Sequence, residues 1–188
     1  SASGKSSYAE SFAMSLQGEG RLLYIATMYP YKWNTTEIDP ETMQRIERHR
    51  AMRADKGFDT VECYRHVEHI VAKRQDVLLL ECMSNLLANE MYLEPDSNAG
   101  SDMAETMSTV SNKIVQALID LSTRVQELVI VTNDVFSDGG SLTYDESTRE
   151  YVKNLAEINC ALAREAATVT EVVCGIPVIV KKNHPMGK

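Results

Sequence analysis

The 188-residue sequence has little positive charge: 19 lysines and arginines stand against 27 acidic residues, for a net charge of −8. Non-specific nucleic-acid binding depends on neutralising phosphates with Lys and Arg, so this balance argues against a nucleic-acid partner. No run of about 18 apolar residues occurs, and no membrane span is expected. A protein of this composition that handles nucleotides must concentrate its positive charge locally.

Cysteine is also scarce, and no two cysteines have Cys-x-x-Cys spacing. Cys63, Cys82, Cys160 and Cys174 all lie in apolar segments typical of helices or strands. This setting favours buried thiols in a reducing compartment over disulfides or a zinc site. We therefore expect a cytoplasmic enzyme or binding protein.

Apolar runs of strand length occur at 21–27, 77–82 and 128–134. The second is apolar up to a terminal acid, as expected of a strand buried on both faces of a parallel sheet. The last segment, 170–181, is predicted to form two short β segments around Gly175. The strands alternate with helical patterns, which indicates a doubly wound α/β layer.

The predicted helices differ in how clearly their ends are marked. Asp39 as N-cap and Pro40 at the first helical position begin one helix, and Thr143 with Glu146 has capping-box spacing for another that runs through Ala166. Helical patterns also cover 6–18, 61–73, a segment from about Met83, and a long apolar face from Met107 to Val125. The predicted architecture is one α/β domain over 1–182, with helices on both faces of a mostly parallel sheet, a C-terminal β hairpin and a tail over 183–188.

The chain opens with Gly4, Lys5 and Ser6, which match the end of the phosphate-binding pattern G-x-x-x-x-G-K-[ST]. In such a loop backbone N–H groups hold phosphate oxygens, the Lys reaches the outer phosphates and the Ser hydroxyl ligates Mg²⁺. An amphipathic helix follows directly, as the motif requires. A short G-K-S also occurs by chance in Ser-rich segments, and the motif alone leaves both interpretations open.

Glu81 ends the apolar run 77–82, where the Walker B carboxylate of a P-loop protein contacts magnesium or its water. Taken alone, the residue is equally well explained as a solvated Glu at a strand end. Together with Lys5 and Ser6, it favours a nucleotide and Mg²⁺ site.

The segment RIERHR (45–50) places a single His49 among several arginines. At helical spacing Arg45, His49, Arg50 and Arg53 fall on one side. Guanidinium groups offer bidentate donors for phosphate oxygens and favour a neutral, nucleophilic imidazole. Such a His could attack the α-phosphate of a nucleotide. Spacing alone, however, favours a solvated basic helix with an incidental His.

Two other groups of residues, the remaining histidines and an aromatic segment, each allow more than one interpretation. His66 and His69 could form a metal pair, but packing or surface roles are favoured because no Cys or acid run supports them, and His184 lies in the polar tail. The aromatic residues of MYPYKW (28–33) could cover a large flat ligand or could pack their own loop.

The ordered set of motifs resembles the bifunctional adenosylcobinamide kinase / adenosylcobinamide-phosphate guanylyltransferase family of cobalamin biosynthesis. SGKS is followed by YIAT, RIERHR, VEC, LLLEC and VTND, then by Arg149 ten residues before Asn159, and by GIPVIVK. The resemblance runs from Ser1 to about Lys182. It implies a P-loop α/β fold whose first strand and first Gly precede Ser1, and a homotrimer.

The resemblance also implies two reactions. A nucleoside triphosphate, ATP or GTP, first phosphorylates the hydroxyl of the aminopropanol arm of adenosylcobinamide. GTP then guanylylates an enzyme His, and GMP passes to the corrinoid phosphate, giving adenosyl-GDP-cobinamide and pyrophosphate. The nucleotide-bearing His falls on His49, against the interpretation from spacing alone, and Lys5 is the second catalytic residue.

The implied nucleotide contacts comprise the phosphate loop and short segments around the two acids. They are Ser1, Ala2, Ser3, Gly4, Lys5, Ser6, Thr27, Met28, Tyr29, Arg50, Ala51, Met52, Arg53, Glu62 and Glu81, with Ser6 and Glu81 as Mg²⁺ ligands.

Two alternative functions stay open: a family member that retains only one activity, and a non-catalytic P-loop switch that binds nucleotide but releases neither ADP nor pyrophosphate. The nucleophilic His favours chemistry over a switch.

Overall fold

A computed structural model describes residues 3–93, 108–133 and 144–183. Ser1, Ala2, Met107, Asp134, Thr143 and His184 lie outside the described residues. The elements in chain order are α1 (Lys5–Leu16), β1 (Leu22–Ala26), α2 (Pro40–Arg53), β2 (Phe58–Glu62), a 3₁₀ turn (Val67–His69), β3 (Val77–Glu81), α3 (Met83–Tyr92), α4 (Ser108–Arg124), β4 (Glu127–Val131), α5 (Glu146–Glu165), β5 (Thr168–Val173) and β6 (Ile176–Lys182).

Strands β1 to β4 form a parallel sheet in the order β2-β1-β3-β4, and β5 and β6 form a separate antiparallel hairpin. The α/β prediction with a C-terminal hairpin is confirmed. Ala26 at the end of β1 is in register with Glu62 on one side and with Glu81 on the other. Because parallel strands end at the same edge, this register brings both acids to the carboxyl end of the sheet, where ligands bind in open α/β folds.

Each face of the sheet is covered by helices. On one face α1 packs Ala9 and Ala13 against a cluster that includes Tyr24 and Leu79. On the other, α3, α4 and α5 pack against Leu78, Leu80 and their neighbours. Residues 77–80 are fully buried, and each of the three leucines contributes about 1.5–3 kcal/mol of burial free energy. No described helix has the length and hydrophobicity needed to cross a membrane.

The helix predicted over 61–73 is wrong. Residues 58–62 form strand β2, paired in register with β1, and only the single 3₁₀ turn at Val67–His69 is helical. The apolar spacing of Val61, Val67 and Ile70 imitates a helical face. Pairing to the central strand β1 decided the conformation of the first residues instead, since tertiary context overrides a weak local preference.

Two smaller expectations are also corrected. The N-cap of α5 is Asp145, whose carboxylate accepts a hydrogen bond from the Thr148 N–H at 2.7 Å, and not Thr143. All four cysteines are free, but Cys160 and Cys174 are exposed and Cys63 and Cys82 are only half-buried, so the expectation of buried thiols is wrong for the first two and partly met by the others. Cys160 lies on α5 and Cys174 in the turn between β5 and β6, and the apolar neighbourhood in the sequence does not reveal that both positions face solvent.

Candidate nucleotide-binding site

A cavity of about 230 Å³ lies at the carboxyl end of the parallel sheet, between the start of α1 and the last turns of α2. Of the residues predicted for the site, eight line it: Lys5, Ser6, Met28, His49, Arg50, Arg53, Glu62 and Glu81. Ser3, Gly4, Thr27, Tyr29, Ala51 and Met52 are not part of its wall. The tertiary structure thus gathers residues from five segments of the chain.

Gly4 turns the chain into α1 in the left-handed region, at φ 85°, and acts as its N-cap. The Gly4 carbonyl accepts the first helical hydrogen bond, from the Tyr8 N–H at 3.0 Å. A Cβ at Gly4 would lie 3.0 Å from Cα of Gly175, and the Gly175 N–H donates to the Ser3 carbonyl at 2.8 Å. Both the backbone angle and the close approach of the C-terminal hairpin therefore require glycine here.

Ser6 and Glu81 meet at the base of the cavity. The Ser6 hydroxyl donates a hydrogen bond to Oε1 of Glu81. The other oxygen, Oε2, is buried and has no hydrogen bond within the described part of the chain. A hydroxyl and an unsatisfied carboxylate oxygen are the hard oxygen ligands that Mg²⁺ prefers, so these two residues fit that ion.

Helix α2 supplies the basic wall of the cavity. The cavity-lining residues Arg45, Ile46, His49, Arg50 and Arg53 share one face of the helix, as their spacing predicts, while Arg48 is not among the lining residues. Asp39 caps the helix start by accepting from the Thr42 N–H, which confirms the predicted boundary. The helix thus presents an imidazole and several guanidinium groups to one volume.

The two arginines predicted to contact nucleotide differ in their exposure and in their hydrogen-bond partners. Arg50 is exposed and forms an ion pair with Glu62, which also accepts a hydrogen bond from the Tyr64 hydroxyl at 2.9 Å. Arg53 is 5% exposed, and its Nε and Nη1 have no hydrogen-bond partner among the described residues. Buried guanidinium N–H groups without an acceptor are suited to bind an anionic ligand.

Tyr24 is the cavity residue that sequence reasoning missed most clearly. Its ring lies under Arg53, with the guanidinium carbon 3.4 Å from the ring centroid. Burial, and after it the charge of nearby Glu81, raise the pKa of the Tyr24 hydroxyl, which therefore stays protonated. The sequence contains one indication of this role: Tyr24 carries the one polar side-chain group, a hydroxyl, in the otherwise apolar strand LLYIA. Thr60, Ser84, Asn85 and Asn133 also line the cavity and had no motif to mark them.

Thr27 lies behind the cavity and is fully buried. It joins the end of β1 to the end of β3 through hydrogen bonds. Its hydroxyl donates to the Cys82 carbonyl at 2.9 Å and accepts from the Cys82 N–H at 2.8 Å. The amide of Asn89 donates to the Thr27 carbonyl at 2.8 Å and to the Tyr64 carbonyl at 2.9 Å. These bonds hold the loop after β1 and the loop after β2 in fixed positions beside the cavity.

The aromatic residues of the loop after β1 contact one another and a neighbouring ring. Tyr29 packs edge-on against Tyr31 and Tyr64, each with ring centroids 5.4 Å apart, and lies 6.4 Å from Trp33. Tyr31 and Trp33 remain 38% and 52% exposed. The loop is therefore packed by its own aromatic side chains, and part of that surface still faces solvent.

His66 precedes the 3₁₀ turn and His69 ends it, with ring centroids 5.7 Å apart, and Nδ1 of His66 lies 3.3 Å from Oε1 of Glu68. No group of three or more His, Cys, Asp or Glu side chains able to hold a metal ion occurs in the described ranges. The packing or surface role of this pair, favoured from the sequence, stays a prediction.

The model of the cobinamide kinase / cobinamide phosphate guanyltransferase family matches this chain over residues 1–180. A search of curated proteins finds no significant match. The family match covers the sheet, the cavity and nearly all of the C-terminal hairpin.

Proposed function

The chain belongs to the cobinamide kinase / cobinamide phosphate guanyltransferase family, and we propose that the cavity beside α1 and α2 carries out both reactions on adenosylcobinamide. In the first, the hydroxyl of the aminopropanol arm attacks the γ-phosphorus of ATP or GTP, and the nucleoside diphosphate leaves. In the second, the resulting corrinoid phosphate receives GMP. The family match supports the pair of activities, and the cavity supports the detailed assignments below.

We propose that GMP passes through His49. An imidazole nitrogen attacks the α-phosphorus of GTP, the bond to the bridging oxygen breaks, and pyrophosphate leaves. An oxygen of the corrinoid phosphate then attacks the same phosphorus, and the phosphorus–nitrogen bond breaks. The intermediate divides one transfer between two anions into two easier steps. The observation that carries this proposal is that His49 shares a wall of the cavity with Arg53, a buried cation whose Nε and Nη1 have no hydrogen-bond partner among the described residues.

The residues around the phosphates act mainly by neutralising charge and fixing geometry, which is what phosphoryl transfer requires. Lys5 would reach the outer phosphates, and Arg50 and Arg53 would bind phosphate oxygens. The wider set of proposed nucleotide contacts is Ser1, Ala2, Ser3, Gly4, Ser6, Thr27, Met28, Tyr29, Ala51, Met52, Glu62 and Glu81. The ion pair with Glu62 engages Nη2 of Arg50, so the other N–H groups of this exposed guanidinium would bind the nucleotide.

Ser6 and Glu81 would hold Mg²⁺. When bound, the ion would neutralise part of the charge on the phosphate oxygens. Oε2 of Glu81 supports this assignment: it has no hydrogen bond from the part of the chain that the structure describes, and burying a carboxylate oxygen without a partner is costly.

The decisive experiment incubates the protein with GTP labelled at the α-phosphate. The proposal predicts an acid-labile label on the protein that is absent from His49→Ala, while His69→Ala retains it as a control at a histidine outside the cavity. Label that persists in His49→Ala would rule out His49 as the nucleophile. Adding adenosylcobinamide tests the two activities separately: a kinase-only member would release nucleoside diphosphate without label, and a transferase-only member would show label without phosphorylating the alcohol.

We also propose a homotrimer, as in the family resemblance. Strand β6 exposes Ile176, Val178, Ile179 and Val180, at 46–66% of their surface, which is more apolar area than an isolated hairpin normally leaves in water. Sedimentation equilibrium tests the proposal: a single species of 21.0 kDa, the mass of one chain, would contradict it.

A further inference from the structure

Arg53 is a buried cation held without a carboxylate. It is the last residue of α2, and none of the ion pairs formed by the described residues includes it. Removing a charge from water without pairing it is strongly unfavourable. Some other contact must therefore keep the side chain in this position before a ligand arrives.

The face of the Tyr24 ring provides that contact. At 3.4 Å the guanidinium carbon is well within the range of a cation–π interaction, which strengthens when both groups are removed from water. Tyr24 itself is 4% exposed, and its ring packs edge-on against Phe58 at 6.1 Å. Because a stacked guanidinium binds through its flat surface, its N–H groups stay free in their own plane.

Strand β1 also fixes where this contact lies relative to the rest of the cavity. Tyr24 is in register with Leu79 of β3, so Tyr24 and Glu81, two residues further on, point to the same face of the sheet. That face carries α1, whose Ser6 bonds Glu81. The paired strands β1 and β3 therefore connect Arg53 at the end of α2, through Tyr24, to the Ser6–Glu81 pair.

We propose that Tyr24 is a positioning residue for phosphate binding: its ring holds the Arg53 guanidinium so that the free N–H groups face the nucleotide phosphates. The inference rests on the proposed binding of nucleotide in this cavity. Tyr24 acts through Arg53 and contributes the ring face, so its hydroxyl is dispensable for this role.

The test measures dissociation constants of the full chain for GTP and for inorganic tripolyphosphate by titration calorimetry. Tyr24→Leu, which removes the ring, is expected to weaken both ligands by about 5- to 20-fold, the size of a desolvated cation–π contact. Tyr24→Phe keeps the ring and should restore most of the affinity. Phe58→Leu removes the neighbouring ring that packs edge-on against Tyr24, and controls for general damage to this apolar cluster. Tyr24→Met replaces Tyr24→Leu if the latter does not fold.

A double-mutant cycle separates positioning from a structural role. In an Arg53→Ala background, Tyr24→Leu should change the dissociation constants by less than about twofold, because the group it positions is gone. The same fold-loss in both backgrounds, or no loss in Tyr24→Leu alone, would overturn the inference and leave the nucleotide site intact. Wild-type protein that binds neither ligand would overturn the proposed function itself.

Discussion

The Ser6 hydroxyl donates a hydrogen bond to Oε1 of Glu81, although 75 residues separate the two in the chain. Ser6 lies in the first turn of α1 and Glu81 at the end of β3. This contact joins the phosphate-loop motif to the carboxylate that the sequence suggested for Mg²⁺. Oε2 of the same carboxylate is buried and has no hydrogen bond within the described ranges, and this is the observation behind the proposed Mg²⁺ site.

Replacing Glu81 by Gln keeps the shape of the side chain and removes its charge. We expect kinase activity to fall by at least about 10- to 100-fold, with a higher Mg²⁺ concentration needed for half-maximal rate, since a neutral amide is a poor ligand for this ion. A Mg²⁺ titration of initial rates checks this. Glu165→Gln, at the exposed end of α5, is the matched control and should behave as wild type. An unchanged Mg²⁺ requirement in Glu81→Gln would remove Glu81 from the metal site.

Gly4→Ala should lower both stability and nucleotide affinity. The left-handed φ of 85° and a Cβ only 3.0 Å from Gly175 both oppose a side chain, at a combined cost of about 1–3 kcal/mol. Gly57→Ala is the matched control, because Gly57 has a φ of 73° but no atom within 4 Å of the added Cβ. Urea unfolding of both variants separates the backbone cost from the contact with the hairpin. Equal losses of unfolding free energy in Gly4→Ala and Gly57→Ala would show that the contact with the hairpin contributes nothing to the cost.

Thr27→Val tests whether Thr27 binds nucleotide or ties strands together. Val has nearly the same shape but leaves the Cys82 N–H without its partner and the Cys82 carbonyl with the Leu86 N–H alone, so we expect a loss of about 1–3 kcal/mol in unfolding free energy. Thr27→Ser retains the hydroxyl and should recover most of it. Thermal unfolding and GTP titration are measured on the same samples. A large loss of affinity at unchanged stability would favour direct contact with nucleotide.

We expect the Asp76 carboxyl to make the unfolding free energy depend on pH in acidic solution. Burial alone would raise the pKa of its carboxyl, but the hydrogen bonds from Arg21 and from the Lys73 N–H outweigh burial and lower the pKa to about 2. The folded pKa is therefore below the unfolded value of about 3.9. The ionised carboxylate adds stability above about pH 4, and this contribution is lost as the pH falls toward 2.

Urea midpoints of wild type and Asp76→Asn measured from about pH 5 to pH 2 test this linkage. At pH 5 the unfolding free energy of Asp76→Asn should be lower than that of wild type by about 1–3 kcal/mol, since the variant loses the charge and one acceptor. The difference between the two proteins should become smaller as the pH falls toward 2. Asp55→Asn, at an exposed position, controls for the loss of one acid. A difference between wild type and Asp76→Asn that does not change with pH would contradict the assignment.

Local sequence signals were sufficient where short-range chemistry decides the structure. Asp39 and Pro40 marked the start of α2, the apolar run before Glu81 marked β3, and the spacing of His49 and Arg53 predicted a shared helix face; the structure agrees with each. Residues 58–62 were missed because a single edge strand with an irregular apolar pattern is stabilised by pairing with β1. No local propensity encodes that pairing.

The sequence by itself determined the class of fold, the positions of most helices and strands, and the residue types that suit phosphate chemistry. The tertiary structure alone decided which of them meet. It brought Glu81 to Ser6, the turn of the C-terminal hairpin to Gly4, and the Tyr24 ring beneath Arg53. The reason is physical: helix periodicity and capping act over a few residues, whereas strand order and register bring together side chains that are distant in the chain.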